Sequence, residues 1–311
     1  MASLPASTAT RVPESPGHLA QVVIGDSWTI LLLYEAFRGA RRFSDWRAQL
    51  PISELVLADR LKRLTALGVM AREAVPGTRT YEYRLTEMGL DLWRVLVAIW
   101  TWQETWAPRA AGAAEVLRHA TCGAPVRAVL TCACCGRPVG PHDTFLASRR
   151  EAPAVSTAAT PRYRRSVVAG RDDDRGFSRE TMDIVGNRWS NLLLGALFLG
   201  RHCFDEIESD LGLPPALLSQ RLGKFVERGI LRRTRHRSNA RRQFYQLTEK
   251  GLALYPVVAN VVDWGNVWLS SDPDAFVIVH RGCGQRFRPV LACGTCGEAL
   301  SRENTTMEAD R

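Results

Sequence analysis

Two runs of this sequence each carry one histidine and three cysteines that could hold a metal ion. HATCGAPVRAVLTCACCG contains His119, Cys122, Cys132 and Cys135, and HRGCGQRFRPVLACGTCG contains His280, Cys283, Cys293 and Cys296. Both fit His-x2-Cys-Gly-x8-Cys-x2-Cys-Gly. Three thiolates and one imidazole make a common tetrahedral zinc set, and a Cys-x2-Cys-Gly turn resembles a zinc knuckle. The spacing therefore predicts one structural zinc per run, each built from that run's own four residues. Four protein ligands leave no open position for water or substrate, so such a metal staples a segment too small to own a core and does not catalyse. Cys134 adjoins the first knuckle, but Cys296 occupies the place matching Cys135, which selects Cys135. The alternative is a pair of metal-free β-ribbons with packed cysteines.

The runs belong to a longer repeat. His280 follows His119 by 161 residues, and the same offset relates Gly25 and Trp28 to Gly186 and Trp189, Gly39 and Phe43 to Gly200 and Phe204, and Arg60, Leu61 and Gly68 to Arg221, Leu222 and Gly229. One residue is inserted near 231–243, a surface-loop position, and the offset of 161 returns after the paired Trp106 and Trp268. A repeat of this length is a duplicated domain, not a solenoid unit.

Each copy shows the same order of elements. Apolar helical spacing ending at glycine marks WTILLLYEAFRG and WSNLLLGALFLG. A short helix follows in FSDWRAQL or FDEIESDL, then a further helix in SELVLADRLKRLTALG or PALLSQRLGKFVERG. Two short strands with a polar tip predict a β-hairpin, and one long aromatic helix, EMGLDLWRVLVAIWTWQETW or EKGLALYPVVANVVDWGNVWL, closes the unit. The expected fold is mainly α with small β-hairpins (α+β): two tandem winged helix-turn-helix domains, each with a short His/Cys3 ribbon. The boundaries expected are an unstructured tail at 1–18, domains at 19–107 and 177–270, ribbons at 108–143 and 271–302, a linker at 144–176 rich in Ala, Ser, Pro and charge, and a tail at 303–311.

Each copy resembles the HxlR-type family of bacterial transcriptional regulators. The resemblance is carried by the Gly-x-x-Trp start, RRFSDWRAQLP, LADRLKRLTALGV and YEYRLTEMG, with their counterparts in the second copy. It implies a DNA-binding regulator whose partner is double-stranded DNA. Family members usually carry one such domain and act as homodimers, whereas this chain carries two. The closing helices hold Trp93, Trp100, Trp102 and Trp106, then Tyr255, Trp264 and Trp268. Aromatic surface of this amount suits an interface, so the copies are expected to pair within one chain as a pseudo-dimer, or the chain to form a homodimer. A covalent, asymmetric pair would accept unlike half-sites.

In helix-turn-helix proteins the second helix of the motif lies in the major groove. With Leu57, Leu61 and Leu64 inward, Val56, Asp59, Lys62 and Arg63 point outward and Arg60 flanks them. With Leu218, Leu222 and Phe225 inward, Leu217, Gln220 and Lys224 point outward and Arg221 flanks them. Gln suits adenine, and Arg suits guanine or phosphate. The second wing carries Arg232, Arg233, Arg235, Arg237, Arg241 and Arg242 with no acidic residue, while the first mixes Arg72 and Arg79 with Glu73 and Glu82. Phosphate is the expected partner of such hairpins, and the second copy is expected to supply most of the sequence-independent affinity.

Composition agrees. The formal charge of +9 is compatible with a polyanionic partner, and no segment is apolar enough to cross a bilayer. The first residues lack the basic and apolar regions of a signal peptide, which points to the cytoplasm, where the 8 cysteines are thiols or metal ligands. No phosphate loop, nucleotide fingerprint or nucleophile motif suggests an enzyme. Two other functions remain open: a regulator responding to thiol or metal state through the His/Cys modules, and a protein-interaction adaptor that has lost DNA. No effector ligand is indicated.

Overall fold

The computed structural model describes residues 15–78, 80–108, 115–149, 176–236 and 239–309. It combines helices with small antiparallel strand pairs in two repeated units. In the first unit α1 (Pro16–Ile24) precedes α2 (Ser27–Phe37), α3 (Phe43–Gln49) and α4 (Glu54–Ala66). Each of α1, α2 and α4 begins at a polar side chain that accepts a hydrogen bond from an otherwise unpaired backbone N–H: Ser15, Asp26 and Ser53. A hairpin of β1 (Met70–Ala74) and β2 (Tyr81–Leu85) follows, with Met70 opposite Leu85. The single closing helix expected from sequence is two: α5 (Glu87–Leu90) and α6 (Trp93–Trp106). A Cβ on Gly89 would come 2.1 Å from the Val69 carbonyl oxygen, so only glycine lets this turn sit on the hairpin.

The second unit repeats the plan with α7 (Arg179–Val185), α8 (Arg188–Phe198), α9 (Phe204–Leu211), α10 (Pro215–Glu227), β6 (Leu231–His236), β7 (Asn239–Leu247), α11 (Glu249–Leu252) and α12 (Tyr255–Trp268). Here Pro256 starts the last helix in the first turn, where a missing N–H costs nothing. The inserted residue is absorbed in longer wing strands with a register shift at Arg235 and His236. Leu57, Leu61 and Leu64, and Leu218, Leu222 and Phe225, are buried as the 3.6-residue period requires. Among the described residues no helix is long and apolar enough to cross a membrane.

The units are interlocked. Helix α1 packs on α12 and α8, α7 packs on α2 and α6, and α6 meets α12. Near-equivalent bonds cross in both directions: Trp102 Nε1 donates to the Lys250 carbonyl and Trp264 Nε1 to the Met88 carbonyl, each at 3.0 Å. Tyr34 stacks with Trp100, and Phe177 from the other unit packs against both rings. Arg188 Nη2 donates to His18 Nε2 at 2.6 Å, and burial, with the Arg188 charge, lowers His18 to about 4, keeping it a neutral acceptor. Asp26 and Asn187, the matching N-caps of α2 and α8, form an antiparallel bridge.

The remaining strands are β3 (Glu115–His119), β4 (Ala128–Cys132) and β5 (Thr144–Arg149) from the first half, and β8 (Phe276–His280), β9 (Pro289–Cys293) and β10 (Thr305–Ala309) from the second. Each pairs with the opposite half: β3 with β10, β4 with β9 and β5 with β8. In the middle ribbon Leu130 faces Leu291, its own repeat mate, so a pseudo-twofold axis passes there. Three boundary expectations change accordingly. The tail at 303–311 contains β10, the linker at 144–176 begins as β5, and the tail at 1–18 ends inside α1. Each segment acquires structure from a partner more than a hundred residues away.

Candidate metal centres and nucleic-acid interface

All eight His/Cys residues named from sequence gather into two groups, but the partition differs from the expected one. His119 and Cys122 meet Cys293 and Cys296, while Cys132 and Cys135 meet His280 and Cys283. In each group the ligand atoms lie within 4.8 Å of one another. The exchange follows from strand geometry. Strand β4 separates the His-x2-Cys arm before it from the knuckle after it by about 13 Å of extended chain. Antiparallel pairing with β9 then sets Cys132 opposite Pro289, beside the other half's arm, and Cys293 opposite Ala128. Each knuckle therefore meets the arm of the other repeat.

Three of the donor separations in each group come close to the edges of a tetrahedral zinc site. Cys122 Sγ lies 3.8 Å from Cys293 Sγ, and Cys132 Sγ 3.9 Å from Cys283 Sγ. His119 Nδ1 is 3.3 Å from both Cys122 and Cys296, and His280 Nδ1 is 3.3 Å from Cys283 and 3.5 Å from Cys135. A tetrahedron with Zn–S of about 2.3 Å and Zn–N of about 2.0 Å has edges of about 3.8 Å between sulfurs and about 3.5 Å from sulfur to nitrogen. Gly123, Gly136, Gly284 and Gly297 each follow a cysteine ligand with positive φ, between 68° and 78°, which explains the Cys-Gly pairs of the motif. His119, His280, Cys132 and Cys293 are buried, and Cys122 and Cys296 are exposed. Cys134 is exposed and outside both groups, and Cys203 is buried at the start of α9.

The neighbours of the groups differ, and this sequence reading missed them. Glu298 Oε2 lies 3.7 Å from His119 Nε2, a buried nitrogen with no hydrogen-bond partner. The separation exceeds a hydrogen bond, yet a small shift of this half-exposed carboxylate would close it. In the other group the equivalent residue is Arg137, whose Nη2 donates to the Gly282 carbonyl. Backbone and side-chain N–H groups of Arg137 lower the Cys135 thiol to about 6. Burial raises the Cys293 thiol, but N–H groups of Cys296 and Thr295 outweigh it and bring it to about 7. Both residues follow Cys-Gly directly, and comparing the two copies there would have found them.

The winged units present α4 and α10. On α4 Asp59 and Lys62 are exposed, as are Gln220 and Lys224 on α10. Val56 and Leu217 are half-buried against the core. Arg60 is only 7% exposed and pairs with Asp26 at 3.2 Å and Asp59 at 2.6 Å. Arg63, expected outward, donates to the Val22 carbonyl, and burial lowers its pKa. These two guanidiniums face the start of α2 and α1, because the flank of α4 is packed against them; Arg60 lies at the flank as expected, and the outward placement expected of Arg63 is corrected. Arg221 is half-buried. Sequence reading passed over Leu55, which is 81% exposed in the first turn of α4, and Ser219, exposed on α10. Arg79 and Arg237 lie outside the described residues, as do the side chains of Arg235, Arg241 and Arg242.

The first wing neutralises itself. Arg84 pairs with Glu73 at 3.1 Å and Glu82 at 3.0 Å, Arg42 also reaches Glu82, and Arg72 sits 3.7 Å over the Tyr81 ring. The second wing exposes Arg232 and Arg233, and Arg232 Nε donates to the neutral Gln246 Oε1 at 3.0 Å.

Four helices, a hairpin and two closing helices, with one helix face left exposed beside the hairpin, define a helix-turn-helix protein built twice over. A family model described as HxlR-like helix-turn-helix matches residues 23–111 and again 184–273, more than half of the chain, and the chain belongs to that family. An uncharacterized HTH-type transcriptional regulator of Mycobacterium tuberculosis is 39% identical over 128 residues, covering 41% of this chain and 81% of that protein. The uncharacterized HTH-type transcriptional regulator YvaP of Bacillus subtilis is 36% identical over 86 residues, covering 27% of this chain and 80% of its own length. A solved structure of a candidate transcription factor from Pseudomonas aeruginosa is 30% identical, covers 40% of this chain and 84% of that one, and superposes with a TM-score of 0.31.

Proposed function

We propose that this chain is a DNA-binding transcriptional regulator, without enzymatic activity, that works as an intrachain pseudo-dimer. The domains expected at 19–107 and 177–270 each supply one reading helix. The observation that carries this reading is the interlocking of two winged units about a pseudo-twofold axis, with α4 and α10 each left with an exposed face. In a homodimer the two reading helices are identical and the site is palindromic. Here the exposed residues differ at matching positions, Asp59 against Gln220 and Leu55 against Ala216, so the half-sites differ too. Gln220 suits adenine, Lys62 and Lys224 suit guanine or phosphate, and Leu55 suits the thymine methyl group. Arg232 and Arg233, with the further arginines of the second wing, hold phosphate without regard to sequence. Zinc is the structural cofactor of this reading, one ion in each His/Cys3 group.

Sequencing genomic fragments bound by the purified protein tests the proposal. The expected outcome is a non-palindromic site of two unlike halves occupied by a single chain. A clean palindrome occupied by two chains would reject the pseudo-dimer, and no preference for duplex DNA over other polyanions would reject the regulator.

A further inference from the structure

We infer that the two His/Cys3 groups are inter-repeat staples: each metal ion is held half by one repeat and half by the other, so that metal binding closes the two winged units on one another. The inference rests on reading the eight residues as zinc ligands. It goes beyond that reading in saying what the ions join. Neither repeat contains a complete site, because β4 and β9 each hold their own arm and their own knuckle at opposite ends. A set of four donors exists only where His119 and Cys122 meet Cys293 and Cys296, or where His280 and Cys283 meet Cys132 and Cys135.

Three consequences follow from coordination chemistry. Loading one zinc ion displaces whatever thiol protons remain and leaves a neutral imidazole and three thiolates around it, so each bound centre carries a net charge of about −1. Binding free energy that requires both repeats becomes free energy of their association. The two ions also lie on opposite sides of the Leu130–Leu291 crossing, one at each end of the central ribbon. Two attachment points fix rotation about that crossing where one would leave a hinge. The staples thus set the relative orientation of the winged units, which is the quantity a protein reading two half-sites must hold constant.

The test counts zinc and maps thiols in the full-length chain, purified without a His-tag, with Cys122→Ser as the variant. Wild type should carry two zinc ions and resist alkylation at Cys122, Cys132, Cys135, Cys283, Cys293 and Cys296 under native conditions. The variant should keep one zinc, newly label Cys293 and Cys296 at least tenfold faster, and leave Cys132, Cys135 and Cys283 protected. Should Cys122→Ser fail to fold, Cys296→Ser serves as the reciprocal variant, with new labelling at Cys122 and Cys293. Labelling of Cys132 and Cys135 instead, with zinc bound in wild type, would overturn the inter-repeat pairing while leaving the zinc reading intact. Wild-type protein free of zinc would overturn both, and the DNA-binding proposal would still be judged separately by its bound fragments.

Discussion

The two halves use the same fold to meet each other, yet they solve the same contact by opposite means. Where α7 enters against α6, Gln103 is fully buried, donating to the Gly176 carbonyl at 3.0 Å and accepting from the Ser178 N–H at 2.6 Å. Where α1 enters against α12, the matching residue is Gly265, and a Cβ there would stand 2.1 Å from the Pro16 carbonyl oxygen. One side is joined by a side chain that satisfies backbone groups, the other by removing a side chain so that backbone can approach. The difference teaches that the duplicated interface has diverged into two faces that are no longer interchangeable. A second chain in place of the internal partner would have to satisfy both faces at once, which the covalent arrangement does by construction.

The sharpest way to break that comparison is to exchange the two solutions. Gly265→Ala drives a methyl group into rigid backbone, and α1 must move off α12; the expected cost is about 3 kcal/mol or more, read as a lower urea midpoint. Gln103→Ala leaves the half-buried Ser178 N–H and the buried Gly176 carbonyl without that partner, at about 2 kcal/mol. If Gly265→Ala proved as stable as wild type, the close approach that distinguishes the faces would not exist in solution.

The wings give a second comparison with a smaller effect. Arg232→Ala with Arg233→Ala should lower DNA affinity about tenfold to thirtyfold and reduce the slope of log affinity against log salt by about two, since neither arginine pairs with an acidic group among the described residues and each phosphate contact contributes about one. Arg72→Ala with Arg84→Ala should change affinity less than about threefold, because Arg84 is already paired with Glu73 and Glu82. Equal losses in a fluorescence titration would show that the first wing engages DNA as strongly as the second.

How much of this was legible beforehand depended on the range of the physics involved. The inward faces of α4 and α10 came from local period, the eight metal-ligating candidates from residue type and spacing, and the order from α2 to the hairpin from matching one copy against the other, without α1 and α7 and with the closing helix unbroken. What was not legible is long-range. Thr305–Ala309 reads as a polar tail until Glu115–His119 is set beside it, and Thr144–Arg149 reads as linker until Phe276–His280 pairs with it. The same blindness assigned each set of four ligands to one repeat, because sequence spacing cannot show which strand lies next to which. Arg63 was misplaced for a related reason: helical periodicity separates a buried face from an open one, but the edge of that face is decided by whatever packs there, here α1.

The metal centres carry the finest version of the comparison. Their donors are the same, but Glu298 stands beside His119 where Arg137 stands beside the ligands of the other centre. A carboxylate accepting the free N–H of a ligating imidazole orients the ring and raises its basicity, whereas a guanidinium offsets the net negative charge of three thiolates around zinc. On the proposed zinc reading the two centres would differ in their neighbours: Arg137 acts on the sulfurs of one, while Glu298, 3.7 Å from His119 Nε2, stands within a small shift of the histidine of the other. Arg137→Ala should speed loss of zinc to a chromogenic chelator from one centre by about tenfold or less and leave the other unchanged, so that a release trace splits into two phases. Glu298→Gln should speed only the opposite phase, by a smaller factor, because its carboxylate is half-exposed and water can replace it. Alkylation during release assigns the phases: the Arg137-sensitive one must free Cys132, Cys135 and Cys283 together. If the three thiols freed were instead Cys122, Cys132 and Cys135, the neighbour effect would belong to a centre made within one repeat, and the distinction between the two halves drawn from Glu298 and Arg137 would fall with it.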